Sequence, residues 1–274
     1  MVVRAGTPVD SHRLLSISQG DAAWSYVSFQ IWQLESGDRV EDSTGREEVG
    51  LVLLSGRLSV VSPQGEWTDL GSRKSVFEGN PWVLYLPPGT DFSAATECGC
   101  TVARAGALAE QGPRAYVIRP DEIAVETRGQ GNAQRQIRHL LEADRTAVSL
   151  FLVECITPGG HWSSYPPHKH DIADPPREAY LEEIYYHLLK PSQGFGFQRI
   201  YTPEGDLDEA VVIRDGTLVT VPRGYHPVTV APGYDLYYLN VMAGPTRAWR
   251  FTDDPDHAWV SAGWRPYGAE SGNS

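Results

Sequence analysis

The chain has 274 residues, of which 41% are hydrophobic and 21% charged. This is an ordinary globular composition, with room for two domains of middling size or one large β architecture. The net charge of -12 repels phosphate backbones and anionic lipid, so nucleic acid and membrane are excluded as partners, and any pocket for an anionic substrate must carry its own positive charge.

The opening "MVVRAGTPVD" has no apolar core segment, so no secretory signal is expected. No apolar run approaches the length that spans a bilayer. Three cysteines, Cys98, Cys100 and Cys155, do not make a disulfide framework. A reduced, cytoplasmic protein is the expectation.

Plentiful Gly (27) and Pro (20) with short apolar runs point to many short strands joined by turns. Strands are expected within 25–34, 49–63, 82–96 and 101–109. The polar stretch 109–134 then crosses to a second half. Residues 133–143 suit either one short helix, with Ile137, Leu140 and Leu141 at helical spacing, or an edge strand. Further strands are expected at 147–158, 182–189, 194–202, 209–233 and 234–244, with Asp215-Gly216 marking a hairpin. The halves echo each other: "GRLSVV" then "YLPPGTDF" in the first matches "GTLVTV" then "VPRGYHPV" in the second. A duplicated β-barrel is the economical explanation.

His168 and His170 lie at i and i+2, which on a strand puts both imidazoles on one face. The tight turn in "DGTLVTVPRGYHPV" carries His226 back toward them. Three imidazoles and one carboxylate make a site for Zn²⁺, Mn²⁺ or Fe²⁺ with positions left open for substrate. The acids Glu178, Glu182 and Glu183 all compete for the carboxylate place. Strand parity separates Glu182 from Glu183 without saying which faces inward. Lys169, between the two histidines, points the other way.

These residues carry a resemblance. Gly160…His168-x-His170…Glu, then Gly216-(x)5-Pro222-x-Gly224-x-His226, resembles the paired motifs of cupins. "GGHWSSYPPHKHD", "LEEIYYH", "QGFGFQRIYT", "VPRGYHPVTVAPGY" and "YYLNVMAG" together resemble the 5-deoxy-glucuronate isomerase family of bacterial myo-inositol catabolism, which is similar to 5-keto-4-deoxyuronate isomerase. The matching blocks span about 159–260.

The resemblance implies an all-β tandem cupin (bicupin) of two β-barrel or jelly-roll domains. Residues 1–125 would form a degenerate barrel without metal, and residues 126–274 the metal-binding one. It implies a divalent metal, zinc first and manganese or iron next, on His168, His170, Glu183 and His226. It also implies an aldose–ketose isomerase acting on a small uronate-type sugar acid. Glu178, Glu182 and Tyr225 are the candidate bases. Arg199, Tyr185 and Tyr238 are the candidate substrate-binding residues, Arg199 as a carboxylate clamp. An iron-dependent cupin dioxygenase and a non-enzymatic sugar-binding bicupin are the rival readings, and pairing of copies through edge strands into a homo-oligomer stays open.

Overall fold

The computed structural model describes residues 2–4, 9–22, 24–142, 144–262 and 264, the side chains of 2–4, 21 and 22 excepted. It is all-β, and the helical segments among these residues are short 3₁₀ turns. Among the described residues no helix is long and apolar enough to cross a membrane.

Two large sheets lie back to back. The six-stranded sheet runs Tyr116–Ile118, Val83–Leu86, Glu47–Gly56, Cys100–Leu108, Val27–Leu34, Arg13–Ile17. The seven-stranded sheet runs Val2–Arg4, Thr217–Val221, Glu182–Lys190, Asp235–Ala243, Phe151–Thr157, Arg135–Leu141, Ala124–Arg128. A four-stranded sheet covers the far face of each. Strands Arg39–Ser43, Asp91–Ala95, Leu58–Ser62 and Gly65–Leu70 close the first barrel. Strands Trp162–Ser163, Val228–Val230, Gly196–Tyr201 and Asp208–Ile213 close the second.

Three apolar layers hold this stack together. Val49, Leu51, Leu53 and Val102 fill the first barrel, and Val219, Val228, Val230 and Leu236 pack in the second. Between the large sheets, Val52, Leu54 and Ala105 meet Ile184, Tyr186, Leu239 and Val241. Full burial stabilises each aliphatic side chain by about 1.5–3 kcal/mol, so the two barrels form one body.

The halves are related strand for strand. Glu47–Gly56 sits between Val83–Leu86 and Cys100–Leu108, as Glu182–Lys190 sits between Thr217–Val221 and Asp235–Ala243. One device occurs twice. Glu48, buried, accepts from the backbone N–H groups of Val148, Ser149 and Leu150 across the junction. Glu182, also buried, accepts from Ser25, Tyr26 and Val27 in return. Each barrel thus lends a carboxylate to the strand entry of the other. Glu154 adds a third tie: it receives Arg73 from the first half, and Arg138 and the Tyr237 hydroxyl from the second.

The described residues of 133–143 do not form the single helix expected. Arg135–Leu141 is a strand paired on both sides, so it is not an edge either. A register shift between His139 and Leu141 changes which face successive residues present, and this bulge mimics helical spacing. Ile137 enters the second barrel while Leu140 and Leu141 join the layer between sheets. The strand Ala124–Arg128 pairs wholly with Arg135–Leu141, so a division after residue 125 would cut it. Val2–Arg4 also pairs with the second half, on Thr217–Val221.

Candidate active site

The seven-stranded sheet presents Glu182–Lys190 with alternate residues on opposite faces. Ile184 and Tyr186 point into the layer between sheets, with Glu182 on their side. Glu183, Tyr185 and His187 therefore point into the second barrel. The equivalent positions of the first barrel, by register, hold Val49, Leu51 and Leu53.

His168 and Lys169 pair with Thr252–Asp253. The chain then leaves the sheet and returns at Leu181, whose N–H donates to the His170 carbonyl. The excursion 171–180 is pinched at its base, which is why the acid that meets the histidines is so far along the chain. Within it, Glu178 is buried and fully engaged. It takes Lys169 Nζ at 3.0 and 3.1 Å and the N–H groups of Asp171 and Ile172. Asp171 accepts from Lys169 Nζ and from the Gly224 N–H.

That last contact ties the loop to the turn before His226. Gly224 has φ +84, and a Cβ there would meet the Tyr201 carbonyl oxygen at 2.3 Å. Only glycine lets the turn pass this close. Tyr225 then bridges Tyr201 through the backbone, and His226 enters the barrel, buried.

The ligating atoms of His168, His170 and His226 all lie within 4.8 Å of one another. Glu183 Oε2 is 3.0 Å from His170 Nε2 and 2.9 Å from His226 Nε2. Asn240 Nδ2 holds the other oxygen, Glu183 Oε1. In each histidine Nδ1 faces a backbone carbonyl: Pro166 at 3.4 Å for His168, Leu181 at 3.1 Å for His170, Gly224 at 2.8 Å for His226. A proton on Nδ1 leaves Nε2 as a lone pair. His226 Nε2 is buried without a hydrogen bond although a carboxylate oxygen lies 2.9 Å away. Two acceptors turned toward one point, off the line of a hydrogen bond, are what a cation between them requires.

The electrostatics agree. Burial, with His226 and His170 adding to it, lowers His168 to about 3, so its imidazole is neutral. Burial alone would raise Glu183, but His226 and His170 hold it well below the usual carboxylate range. Burial opposes a proton on His170 as well, and Glu183 outweighs it and raises that group. This donor set suits a divalent ion of the zinc, manganese or iron type.

A small cavity of about 50 Å³ opens onto His168 and Glu183. Tyr185 and Tyr238 line it, along with Ser164, Asn240, Glu142, Arg128, Arg135 and Trp249. Tyr185 shares a hydrogen bond of 2.8 Å with Ser164 Oγ. Burial first and Glu183 second keep its hydroxyl well above its ordinary pKa, so it is a neutral donor.

Four sequence expectations for the site need correction. Glu182 lies on the opposite face of its strand and is used up by three N–H groups of the first barrel. Glu178 is consumed by Lys169 and the loop backbone. Arg199 points out of the barrel, forks onto Asp208 at 2.8 Å twice, and is half-exposed. Tyr225 lies among Asp254, Lys169, Glu178 and Asp171 rather than on the cavity wall. The residues that sequence reasoning missed are Arg128, Arg135, Glu142, Asn240 and Trp249. The visible signal was "RGQGNAQR", a glycine-containing hairpin with an arginine at either end.

Comparison with known proteins fits this geometry. A protein from Geobacillus thermodenitrificans named 5-deoxy-glucuronate isomerase is 41% identical over 260 residues, covering 94% of this chain and 95% of its own. One of the same name from Bacillus subtilis is 39% identical over 246 residues, covering 89% and 91%. The crystal structure of an IolB-like protein from Salmonella typhimurium superposes with a TM-score of 0.92 at 40% identity, covering 95% of this chain and 99% of that one. Oxalate decarboxylase from Lactobacillus farciminis reaches 0.64 at 11% identity, covering 92% and 88%, which shows a shared cupin-type fold. The model of the KduI/IolB family matches residues 2–260, and the chain belongs to that family.

Proposed function

We propose that the protein is an aldose–ketose isomerase that converts 5-deoxy-D-glucuronate to 5-dehydro-2-deoxy-D-gluconate, a step of myo-inositol catabolism. The observation that carries this reading is one cavity lined by two arginines and by His168 and Glu183, two members of a three-histidine, one-carboxylate donor set. The name of the relatives supports the substrate.

His168, His170, Glu183 and His226 would hold the divalent ion, which when bound polarises an aldehyde and acidifies the neighbouring C–H. The rest falls to the chain. Asn240 fixes the Glu183 carboxylate, so the donor set is preorganised. Glu142 is the one cavity-lining carboxylate besides Glu183, and it accepts from His139 Nδ1 at 2.7 Å. We assign it the proton transfer. It takes the proton from the carbon beside the aldehyde and returns it to the former aldehyde carbon, through a cis-enediol. The hydroxyl pair Tyr185 and Ser164 hands the matching proton from one substrate oxygen to the other. A placed base is worth about 10²–10⁴-fold in rate.

We take the residues through 118 as one barrel and those from 124 onward as the other, with the chemistry in the second. The three free thiols suit a reducing compartment, and we assign the protein to the cytoplasm.

The test is incubation of 5-deoxy-glucuronate with metal-defined protein in deuterated water. Conversion with solvent deuterium on the new CH₂ group is expected, and Glu142→Gln should slow it by at least 100-fold. No conversion with zinc, manganese or iron would overturn the assignment.

A further inference from the structure

Arg128 and Arg135 are direct partners across the antiparallel pair Ala124–Arg128 and Arg135–Leu141. Like charges placed directly opposite on a sheet destabilise it. Both guanidinium groups line the cavity that holds His168 and Glu183. Their surroundings do not balance them equally. Arg128 is forked onto Glu126, at 2.8 and 2.7 Å. Arg135 is 6% exposed and donates from Nη1 to the Ala133 carbonyl, and its buried Nε has no partner among the described residues. A desolvated, under-bonded guanidinium is costly.

The carboxylate that acts on Arg135, Glu126, is already forked onto Arg128 and repays little of that cost. Its neighbours Cys155 and Tyr238 are both kept neutral by burial. The overall charge of -12 makes a local cation in a cavity a selective feature for an anion.

We infer that Arg135 is the carboxylate receptor of the cavity: it forks onto the acid end of a sugar acid whose carbonyl end lies at the His168–Glu183 side, with Arg128 adding field from across the strand pair. The identity of the acid rests on the isomerase reading, whereas the anion site itself does not. Arg135 thereby sets specificity. An aldose without the acid leaves its buried donor unpaired, which is the strongest form of rejection a pocket can apply.

The probe is 5-deoxy-glucuronate reduced with borohydride, which keeps the carboxylate and cannot isomerise, compared with its methyl ester. Titration calorimetry on the metal-loaded protein should show the acid binding about 100-fold more tightly than the ester, the worth of a charge-assisted fork. Arg135→Met should bind both alike, with ester affinity unchanged within about threefold, and should raise KM for 5-deoxy-glucuronate far more than it lowers kcat. Arg135→Lys, which keeps charge and loses the fork, should fall between and serves if the methionine variant does not fold. Equal binding of acid and ester by the unaltered protein would overturn the inference, and so would a preference for the acid that survives in both variants. If the unaltered protein discriminates through Arg135 yet never isomerises 5-deoxy-glucuronate, the receptor stands and the isomerase reading falls.

Discussion

Glu182→Gln separates a structural carboxylate from a catalytic one. Glu182 Oε1 accepts from the Ser25 N–H at 2.7 Å, and Oε2 accepts from Tyr26 and Val27 at 2.8 and 3.0 Å. Glutamine has one acceptor oxygen. Its best orientation keeps Tyr26 and Val27 and turns an NH₂ group onto Ser25. One part-buried N–H then loses its partner, at about 1–3 kcal/mol, and two bonds lose their charge assistance, at roughly 0.5–1 kcal/mol each. The sum is about 3 kcal/mol, or roughly 6–12 °C in melting temperature for a chain of this size. Glu48→Gln is the nearest control, because Glu48 likewise holds the N–H groups of Val148, Ser149 and Leu150, with the Tyr85 hydroxyl as a fourth partner. Calorimetry should show comparable falls for the two variants, while kcat for 5-deoxy-glucuronate, measured well below the lowered melting temperature, stays within about twofold for both. A kcat loss of 100-fold or more in Glu182→Gln at an unchanged melting temperature would refute the reasoning and return Glu182 to the chemistry.

Removing a metal donor should act the other way round. His168→Ala and His226→Ala should lose at least 90% of bound metal, by about a tenfold or greater fall in affinity, as read by elemental analysis of the dialysed protein; full metal content in either would displace the donor set. Glu154→Gln should cost about 3–5 kcal/mol in urea unfolding, because it leaves Arg73 and Arg138 buried without their counter-charge. The same carboxylate sets an acid limit. Burial raises its pKa and Arg73 more than offsets this, so the folded value lies below the ordinary 4.5. Its contribution is present above that pH and is lost as pH falls below it, and Glu154→Gln should flatten the acid limb of stability against pH. Arg199→Ala removes an exposed pair with Asp208, so KM for 5-deoxy-glucuronate should hold within twofold and stability within about 0.5 kcal/mol; a KM rise of tenfold would make Arg199, and not Arg135, the clamp.

The parts of this site that were legible in the sequence are those fixed by a few consecutive residues. His-x-His needs only the period of a strand, and Pro222-x-Gly224-x-His226 needs only a turn that no side chain but hydrogen can enter. Arg199 was also within reach of that logic. Gly196, Gln198 and Ile200, with Tyr201 at the strand's end, are the buried residues, while Phe197 and Arg199 alternate outward. A guanidinium on the outer face cannot serve the inside. What local pattern could not supply is anything that depends on a partner strand. Glu182 and Glu183 look alike in "LEEIYYH", and the first barrel decides between them by packing against the face that carries Ile184 and Tyr186. Arg135 looks like one polar residue of a short helix or edge strand until its register sets it against Arg128. The bulge at His139 hid that register by imitating a helix.

The duplication supplies the control that a single barrel would lack. Val49, Leu51 and Leu53 of the first barrel and Glu183, Tyr185 and His187 of the second occupy equivalent inward positions, in the same strand order. The first trio shows that this architecture closes on apolar side chains at these positions, and the buried guanidinium beside them, Arg104, is paired with Asp42 and Glu47. The second barrel therefore carries a buried carboxylate, imidazoles and a guanidinium that folding does not require. Groups of that kind cost stability wherever they are not fully paired. Their retention on one side of a duplicated fold is the physical argument that the second barrel is where the chemistry is done. It also explains why both structural carboxylates, Glu48 and Glu182, face the junction, where the two halves still meet the same demand.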